Sequence, residues 1–181
     1  MPGAMSTASV RWRIVAWMVM VPGGAVAGLV VDWILYRDWL LNPWFHLLTL
    51  PVGLALLKGV FTVSRNTGRV LARHGRAGEL PRLETNRLVQ VGPYACMRHP
   101  MHLGLLFLPL AVALILGSVS FIVCIAPLEA LFMLAMIRWV EEPEAIRKFG
   151  QDYLAYRRRV PMFNLRPDCL RRLFRPDPNG L

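Results

Sequence analysis

The chain has 181 residues, of which 55% are hydrophobic and 18% are charged, with a mean hydropathy of +0.43. This composition excludes an ordinary soluble domain, which carries more charge, and indicates a chain that lies in a lipid bilayer. The formal net charge is nevertheless +10. Because the arginines occur in blocks beside apolar runs, anionic lipid headgroups can balance them. No groove-reading motif accompanies the charge, so we expect no nucleic-acid binding.

Two apolar segments in residues 1–63 have the length of transmembrane helices. The first, Ile14–Tyr36, matches the roughly 20 residues that cross the hydrocarbon core of a bilayer. It could instead be a cleaved signal peptide, but its apolar run is longer than a signal-peptide core. The second covers about Trp39–Val63. We therefore expect residues 1–63 to form two N-terminal transmembrane helices.

Two further spans are predicted in residues 64–181. The third covers Met101–Leu116 and the fourth Val119–Val140, and only Gly117-Ser118 separates them. Such a short connection predicts a tight antiparallel hairpin. The third helix should begin at Pro100, because the residue before a proline is disfavoured in helical conformation. Residues 64–181 would then contain a loop, this hairpin and a C-terminal segment.

Positive charge is distributed unevenly around these spans. Seven arginines lie between Arg65 and Arg98 and ten basic residues lie from Arg138 onward, whereas the Gly117-Ser118 turn carries none. Cytoplasmic loops of membrane proteins retain Lys and Arg, so we expect the middle segment and both termini on the cytoplasmic side. The predicted fold is an all-α polytopic membrane protein with about four transmembrane helices.

Two acidic residues fall inside the predicted spans. Asp32 interrupts the first span and Glu129 the fourth. An ionisable group within a bilayer is costly and by default indicates a functional site. Glu129 is therefore either a functional group or the structural partner of Asp32 or of another polar residue, and the sequence leaves both interpretations open.

The cysteines and the basic C-terminal tail carry no clear structural signal. Cys96, Cys124 and Cys169 are odd in number and lack C-x-x-C spacing, so they are interpreted as free thiols. The tail, Arg166–Leu181, is basic and contains prolines, and it is expected to be poorly ordered.

The densest cluster of reactive side chains is GPYACMRHPMHLG, Gly92–Gly104, where the loop enters the third span. An Arg-His pair at a membrane interface can be no more than a lipid-facing anchor. His99 and His102 could be two metal ligands, but no further His, Cys or carboxylate pair stands at ligand spacing. We therefore predict no metal site.

A second cluster, EEPEAIRKFGQDYLAYRRRVP, covers Glu141–Pro161. Apolar residues recur there at steps of three and four, which predicts a C-terminal amphipathic helix on the cytoplasmic side. It could serve only as a basic membrane anchor. The adjacent carboxylates of Glu141 and Glu142 repel one another, so a cation should lie close, either Arg138 or a ligand. The apolar positions are Ile146, Phe149, Tyr153, Tyr156 and Val160.

Together the two clusters resemble the isoprenylcysteine carboxyl methyltransferases and the related phospholipid methyltransferases, small multi-span enzymes that use S-adenosylmethionine. The resemblance covers about Arg87–Pro161. It comprises, in order, Leu88-Val89 followed by GPY, then RHPM-H-LG, then EE with FG and YLAYRRRVP. RHP alone is common, whereas the ordered set is specific.

The resemblance implies which residues bind S-adenosylmethionine. Glu141 would reach into the cofactor pocket, and His102 stands where the family usually has tyrosine. Arg138 is the nearest candidate for a catalytic arginine that faces the substrate, and Lys58 or Arg65 for a further basic residue. One wall of the pocket would contain Asn86, Arg87, Leu88, Val89 and Tyr94, and another His99, Pro100, Met101 and His102.

The activity implied is methyl transfer from S-adenosylmethionine to a lipophilic acceptor, a carboxylate, amine or thiol, at a membrane whose lipids are anionic. The cofactor carries a sulfonium, an ammonium, a carboxylate and ribose hydroxyls, so its site needs both an acidic acceptor and basic or amide donors. Two alternatives remain. A membrane reductase of the sterol-reductase type has a similar RHP and tyrosine-rich pattern but binds NADPH, and a non-catalytic scaffold could retain the same fold.

Overall fold

A computed structural model of the chain describes residues 7–78 and 85–175, and every regular element in these residues is helical. The predicted all-α class is thereby confirmed. A 3₁₀ turn, Gly92–Ala95, precedes the second half of the chain, and π-helical turns lie at Phe121–Ile125 and Ile137–Glu141. The helices are α1 Thr7–Leu35, α2 Arg37–Leu40, α3 Pro43–His74, α4 Pro100–Leu105, α5 Leu108–Leu116, α6 Ala126–Met136, α7 Glu142–Arg159 and α8 Pro167–Phe174.

Three helical stretches of the described residues are long and apolar enough to cross a membrane: Val15–Leu35, Pro43–His74 and Phe121–Arg159. Pro100–Leu116 is apolar but shorter than a usual span. The predicted count of four spans is therefore not confirmed. The structure gives three candidate spans and one short apolar segment.

The second predicted span has different ends in the structure. Trp39 belongs to the separate short helix α2, and α3 begins at Pro43 and continues past Val63 to His74. The start is set locally, because the Oδ1 of Asn42 accepts the backbone N–H of Trp44 at 2.9 Å. An asparagine cap followed by proline in the first turn is a strong helix start.

The predicted hairpin turn is present. The helix starts at Pro100 as expected, and Gly117 ends α5 with a left-handed φ of 61°. Helical structure does not stop at Val140, however, because the turn Ile137–Glu141 leads directly into α7. Pro143, which ends many helices, is tolerated in the first turn of α7, where its missing N–H needs no partner.

The described residues form two compact units, each assembled from segments distant in sequence. We call Thr7–Val60 with Leu106–Ile137 the apolar unit. Phe61–Leu105 with the chain from Arg138 onward is the polar unit.

In the apolar unit the helices meet at glycines. A Cβ atom at Gly53 would meet backbone atoms of Ala111 and Ile115 at 3.0 and 2.8 Å. Asp32 is fully buried and accepts the backbone N–H of Ser120 at 2.9 Å. Glu129 is buried as well, but it lies against Gly24, about two helical turns before Asp32 along α1.

In the polar unit the C-terminal helix is covalently attached. Cys96 and Cys169 form a disulfide with a Cα–Cα distance of 5.7 Å. The interpretation of these two cysteines as free thiols is therefore wrong: the fold brings together residues 73 positions apart, which no local spacing reveals. Cys124 is a free thiol.

The expectation of a poorly ordered tail from Arg166 is also wrong for the residues that the structure describes. Pro167–Phe174 forms α8, which buries Cys169 and Leu173 one helical turn apart. The Nδ2 of Asn66 donates to the carbonyl of Leu173 at 3.0 Å. Residues 176–181 lie outside the described part of the chain.

Helix α7 is bent at Gly150, where φ is 56° and ψ is −128°. Side chains with a Cβ rarely adopt this conformation, and glycine does so without steric cost. Of the five apolar positions predicted to share one helix face, Tyr153 and Tyr156 are buried, whereas Ile146, Phe149 and Val160 are half-buried.

Candidate functional site

The Arg-His-Pro motif is held against the segment that follows α7. The backbone N–H of Arg98 donates to the carbonyl of Pro161 at 3.0 Å, and that of His99 donates to Met162 at 3.2 Å. Pro100 then starts α4. Both clusters of the sequence therefore lie in the polar unit and are bonded to each other through their backbones.

Glu142 is almost sealed from solvent, and several donors bind its Oε1. Its side chain is 1% exposed, and its Oε1 accepts the Nε and Nη2 of Arg98 at 2.8 and 2.6 Å. The hydroxyl of Tyr153 donates to the same oxygen at 3.2 Å, and the Nε of Arg157 lies 3.3 Å from Oε2. Arg98 also donates to the carbonyl of Val160 at 2.5 Å. A buried carboxylate persists only with such partners, so Glu142 acts as a structural anchor.

Glu141, the neighbouring carboxylate, faces two imidazoles. Its Oε2 lies 3.6 Å from the Nδ1 of His99, and its Oε1 lies 3.0 Å from the Nε2 of His102. The side chain of Glu141 is 19% exposed, against 1% for Glu142. Of the two adjacent carboxylates, Glu141 is therefore the one that a ligand can reach.

His99 is enclosed between both carboxylates. Its Nδ1 faces Glu141, and its Nε2 lies 3.4 Å from the Oε1 of Glu142. Burial lowers the pKa of His99 below its ordinary value of 6.5, and the nearby charge of His102 acts in the same direction, although the carboxylates oppose it. At neutral pH the imidazole of His99 is therefore uncharged, and it can accept a proton or a metal ion.

Tyr94 connects the 3₁₀ turn to α7. The hydroxyl of Tyr156 donates to the backbone carbonyl of Tyr94 at 2.5 Å. Burial, reinforced by the charges of Tyr156 and Glu141, raises the pKa of Tyr94, so its phenol stays protonated. Of the first predicted wall, Tyr94 is thus the residue that comes near Glu141.

The remaining residues of that wall have structural contacts of their own. The side chain of Asn86 both donates to and accepts from the backbone of Ala77, each at 2.8 Å. Val89 is buried in a small apolar cluster with Val70 and Tyr94. Arg87 is exposed and Leu88 is half-buried. Their contact with a cofactor remains a prediction.

Of the second predicted wall, His99 and His102 face Glu141, while Pro100 is buried beneath them and Met101 is half-buried. Sequence reasoning predicts a cation beside Glu141 and Glu142, and the structure places Arg98 and Arg157 on Glu142. Arg138, the cation named from the sequence, is exposed in the π-helical turn. Lys58 and Arg65 are exposed on α3.

Three residues of this cluster were not recognised from the sequence, and Glu142 was recognised only as a carboxylate that requires a nearby cation. The repulsion between the two glutamates is the signal that could have pointed to Arg98, since it is the arginine of the Arg-His-Pro motif. The tyrosines were recognised only as apolar positions. The missed residues are Arg98, Tyr153 and Arg157.

A protein-family model described as phospholipid methyltransferase matches residues 47–152 of the chain. The matched region extends from within α3 into α7, so it contains both histidines and both carboxylates of the cluster. No curated protein and no solved structure matches the chain significantly.

Proposed function

The chain belongs to the phospholipid methyltransferase family of integral membrane methyltransferases, and on that premise we propose that it transfers a methyl group from S-adenosylmethionine to a lipophilic acceptor. The family and the apolar helices support a membrane-embedded methyltransferase. The methyl donor, the pocket residues and the acceptor are parts of the proposal. The single observation that carries the donor site is the partly exposed Glu141 between His99 and His102.

The residues of this cluster fit the cofactor chemically. An ammonium group or a ribose hydroxyl needs an anionic acceptor, and Glu141 is the reachable carboxylate. Imidazole N–H groups of His99 and His102 can donate to the carboxylate of the amino-acid moiety. Glu142 and Arg98, sealed beneath, hold the backbone that carries these side chains, and such fixed supporting contacts keep reacting groups aligned.

Bound S-adenosylmethionine would supply a methyl group activated by a sulfonium, and its transfer to a nucleophile leaves neutral S-adenosylhomocysteine. A carboxylate or thiolate acceptor needs no general base, because it has no proton to lose. An amine acceptor is an ammonium at neutral pH, so it must lose a proton before its nitrogen can attack the methyl group. His99, whose buried imidazole is neutral at physiological pH, and Glu141 are the groups of this cluster that can accept this proton.

We assign Arg138 to the acceptor side of the site. It lies in the π-helical turn three residues before Glu141, with its side chain exposed, and π-helical turns are frequent at functional sites. A guanidinium there suits an anionic lipid headgroup or a carboxylate acceptor. Replacement of Arg138 by alanine should slow methyl transfer while S-adenosylhomocysteine binding stays unchanged, which separate rate and binding assays would measure.

The acceptor would enter from the bilayer and the cofactor from the cytoplasm. Arginines concentrate in the segments that carry the cluster, and this distribution supports a cytoplasmic site and cytoplasmic termini. Anionic lipids would be attracted to the same face, since each basic residue near a charged surface contributes about 1 kcal/mol.

A binding titration of detergent-purified protein with S-adenosylhomocysteine tests the cofactor assignment. We expect saturable binding by the intact protein and at least about tenfold weaker binding, about 1.4 kcal/mol, after Glu141→Gln. Asp152→Asn, which removes the same charge from an exposed position of α7, is the matched control and should bind normally. No binding by a monodisperse intact protein would end the proposal.

A second experiment identifies the acceptor. Membranes that contain the protein are incubated with S-adenosylmethionine labelled in the methyl group, and the lipid and protein fractions are separated. Label that alkaline treatment releases as volatile methanol indicates a methyl ester, whereas label that stays non-volatile indicates methylation of an amine or a thiol. Membranes with the Glu141→Gln variant provide the background.

A further inference from the structure

His99, His102 and Glu141 each offer one donor atom, and these atoms lie within 4.8 Å of one another. Sequence analysis predicts no metal here, since only two histidines stand at ligand spacing. The fold supplies the third ligand: Glu141 lies 39 positions after His102 in the sequence but 3.0 Å away in space. The donor set is two imidazole nitrogens and one carboxylate oxygen.

The spacing of these atoms is close to that of a zinc centre. Tetrahedral Zn²⁺ with bonds of about 2.0–2.1 Å places its ligand atoms about 3.3–3.5 Å apart. The Oε2 of Glu141 lies 3.6 Å from the Nδ1 of His99, and its other oxygen, Oε1, lies 3.0 Å from the Nε2 of His102. With one donor atom taken from each residue, all three atoms lie within 4.8 Å of one another. The two imidazole rings lie edge to face with centroids 5.5 Å apart. Small side-chain rotations would therefore suffice to bring all three donors onto one ion.

The surroundings of His99 also suit a metal ligand. Imidazoles that bind a metal through one nitrogen usually present the other to a carboxylate, which fixes the ring. The Nε2 of His99 lies 3.4 Å from the Oε1 of Glu142, and Arg98 holds that oxygen at 2.6 Å. The three donor side chains are only 10–21% exposed, so their positions are largely determined before any ion binds.

We propose that His99, His102 and Glu141 form a three-ligand Zn²⁺ site with one coordination position open. Two histidines and a carboxylate around an open position are a common zinc donor set. His102 gives the chain this donor set where the resembling enzymes have tyrosine.

One consequence rests on the proposed function. Glu141 and His99 are assigned there to the cofactor, so Zn²⁺ and S-adenosylhomocysteine would compete for the same atoms. At a free Zn²⁺ concentration about ten times its dissociation constant, the apparent affinity for S-adenosylhomocysteine should fall about tenfold.

The test uses untagged protein stripped of metal with a chelator and titrated with Zn²⁺ against a fluorescent zinc indicator. We expect one Zn²⁺ per chain, and at least about tenfold weaker binding after His102→Tyr or Glu141→Gln. Two controls should bind as the intact protein does: His74→Gln, which alters an exposed histidine of the same unit, and Cys124→Ser, which removes the free thiol. Co²⁺ added in place of Zn²⁺ should give visible ligand-field bands without thiolate charge transfer.

The possible outcomes separate the two proposals. Intact protein that binds S-adenosylhomocysteine but no Zn²⁺ overturns the metal site and leaves the methyltransferase assignment untouched. Intact protein that binds Zn²⁺ but no S-adenosylhomocysteine overturns the methyltransferase assignment and leaves the metal site untouched. Zn²⁺ binding that survives both ligand substitutions places the ion elsewhere and overturns the site. His102→Tyr and Glu141→Gln each test the ligands independently, so one variant that fails to fold does not weaken the test.

Discussion

In the apolar unit the helices meet where side chains are smallest, whereas the polar unit is connected by charges, hydroxyls and a disulfide. Gly53 illustrates the first kind of contact, a close approach of two backbones. Arg98 on Glu142 illustrates the second. Within a bilayer, close packing is one of the few forces that hold helices together, because lipid is as apolar as the side chains. Close packing thus stabilises the apolar unit, whereas ion pairs, hydrogen bonds and a disulfide stabilise the polar unit. Different substitutions should therefore destabilise each unit.

The largest effect is expected from Arg98→Ala in the polar unit. The substitution leaves Glu142 buried without its main partner, which should cost about 3–5 kcal/mol. A thermal melt in detergent followed by tryptophan fluorescence would measure it, with the exposed Arg147→Ala as control. The double variant Arg98→Met, Glu142→Leu should lose less than Arg98→Ala alone, since no charge is left unpaired. If both variants lose the same stability, the loss in Arg98→Ala does not come from leaving Glu142 unpaired.

The next effect concerns the disulfide of the polar unit. Its cysteines are 73 positions apart, and a crosslink that closes a loop of this kind typically contributes about 2–4 kcal/mol. Cys96→Ser or Cys169→Ser should lower the melting temperature, and a reductant should act on the intact protein but not on either variant. Cys124→Ser should leave the melt unchanged. A melt that is insensitive to reductant would show that the bond adds nothing to stability.

A smaller effect is expected in the apolar unit from Gly53→Ala. The added methyl group would meet backbone atoms of Ala111 and Ile115, and forced overpacking costs about 1–3 kcal/mol. Gly59→Ala is the matched control on the same helix, because nothing lies within 4 Å of a Cβ built there. Alanine favours helix over glycine, so Gly59→Ala should be neutral or slightly stabilising. Equal melts for the two variants would contradict close backbone packing.

The smallest effect is expected from pH. Because burial lowers the pKa of His99 below 6.5, the unfolded chain takes up this proton more readily, and stability is lost as pH falls below about 6.5. The melting temperature should therefore decrease between about pH 7.5 and about pH 5.5. His99→Gln should show a shallower decrease. If the melting temperatures of the intact protein and of His99→Gln decrease equally with falling pH, His99 does not contribute to the pH dependence of stability.

Local signals in the sequence predict the helical elements better than their ends. Pro100 and the Gly117-Ser118 turn are predicted correctly, since proline and glycine act through their own backbone geometry. The end at Val140 is wrong because Glu141, Glu142 and Pro143 together resemble a helix break. In the structure the π-helical turn leads directly into α7, and Pro143 is accommodated in the first turn of α7.

The side-chain cluster formed by the two histidines and the two carboxylates is only partly predictable from the sequence, for a different reason. The sequence indicates His99, His102 and Glu141 through the resemblance, and the structure brings these three together. The sequence does not show which of the two carboxylates faces Arg98. Two adjacent helical residues point about 100° apart, and tertiary packing decides which of them meets the arginine. The disulfide depends on a contact between distant segments, which no spacing rule predicts.

The bend at Gly150 determines whether the two ends of α7 can meet. In a straight helix Tyr153 would lie about 16 Å along the axis from Glu142, eleven residues away and beyond the reach of both side chains. Their hydrogen bond at 3.2 Å exists because the chain reverses at one left-handed residue. The glycine codon at position 150 therefore determines whether this hydrogen bond can form. Almost any missense change there would separate the phenol of Tyr153 from the carboxylate of Glu142, although neither residue is itself altered.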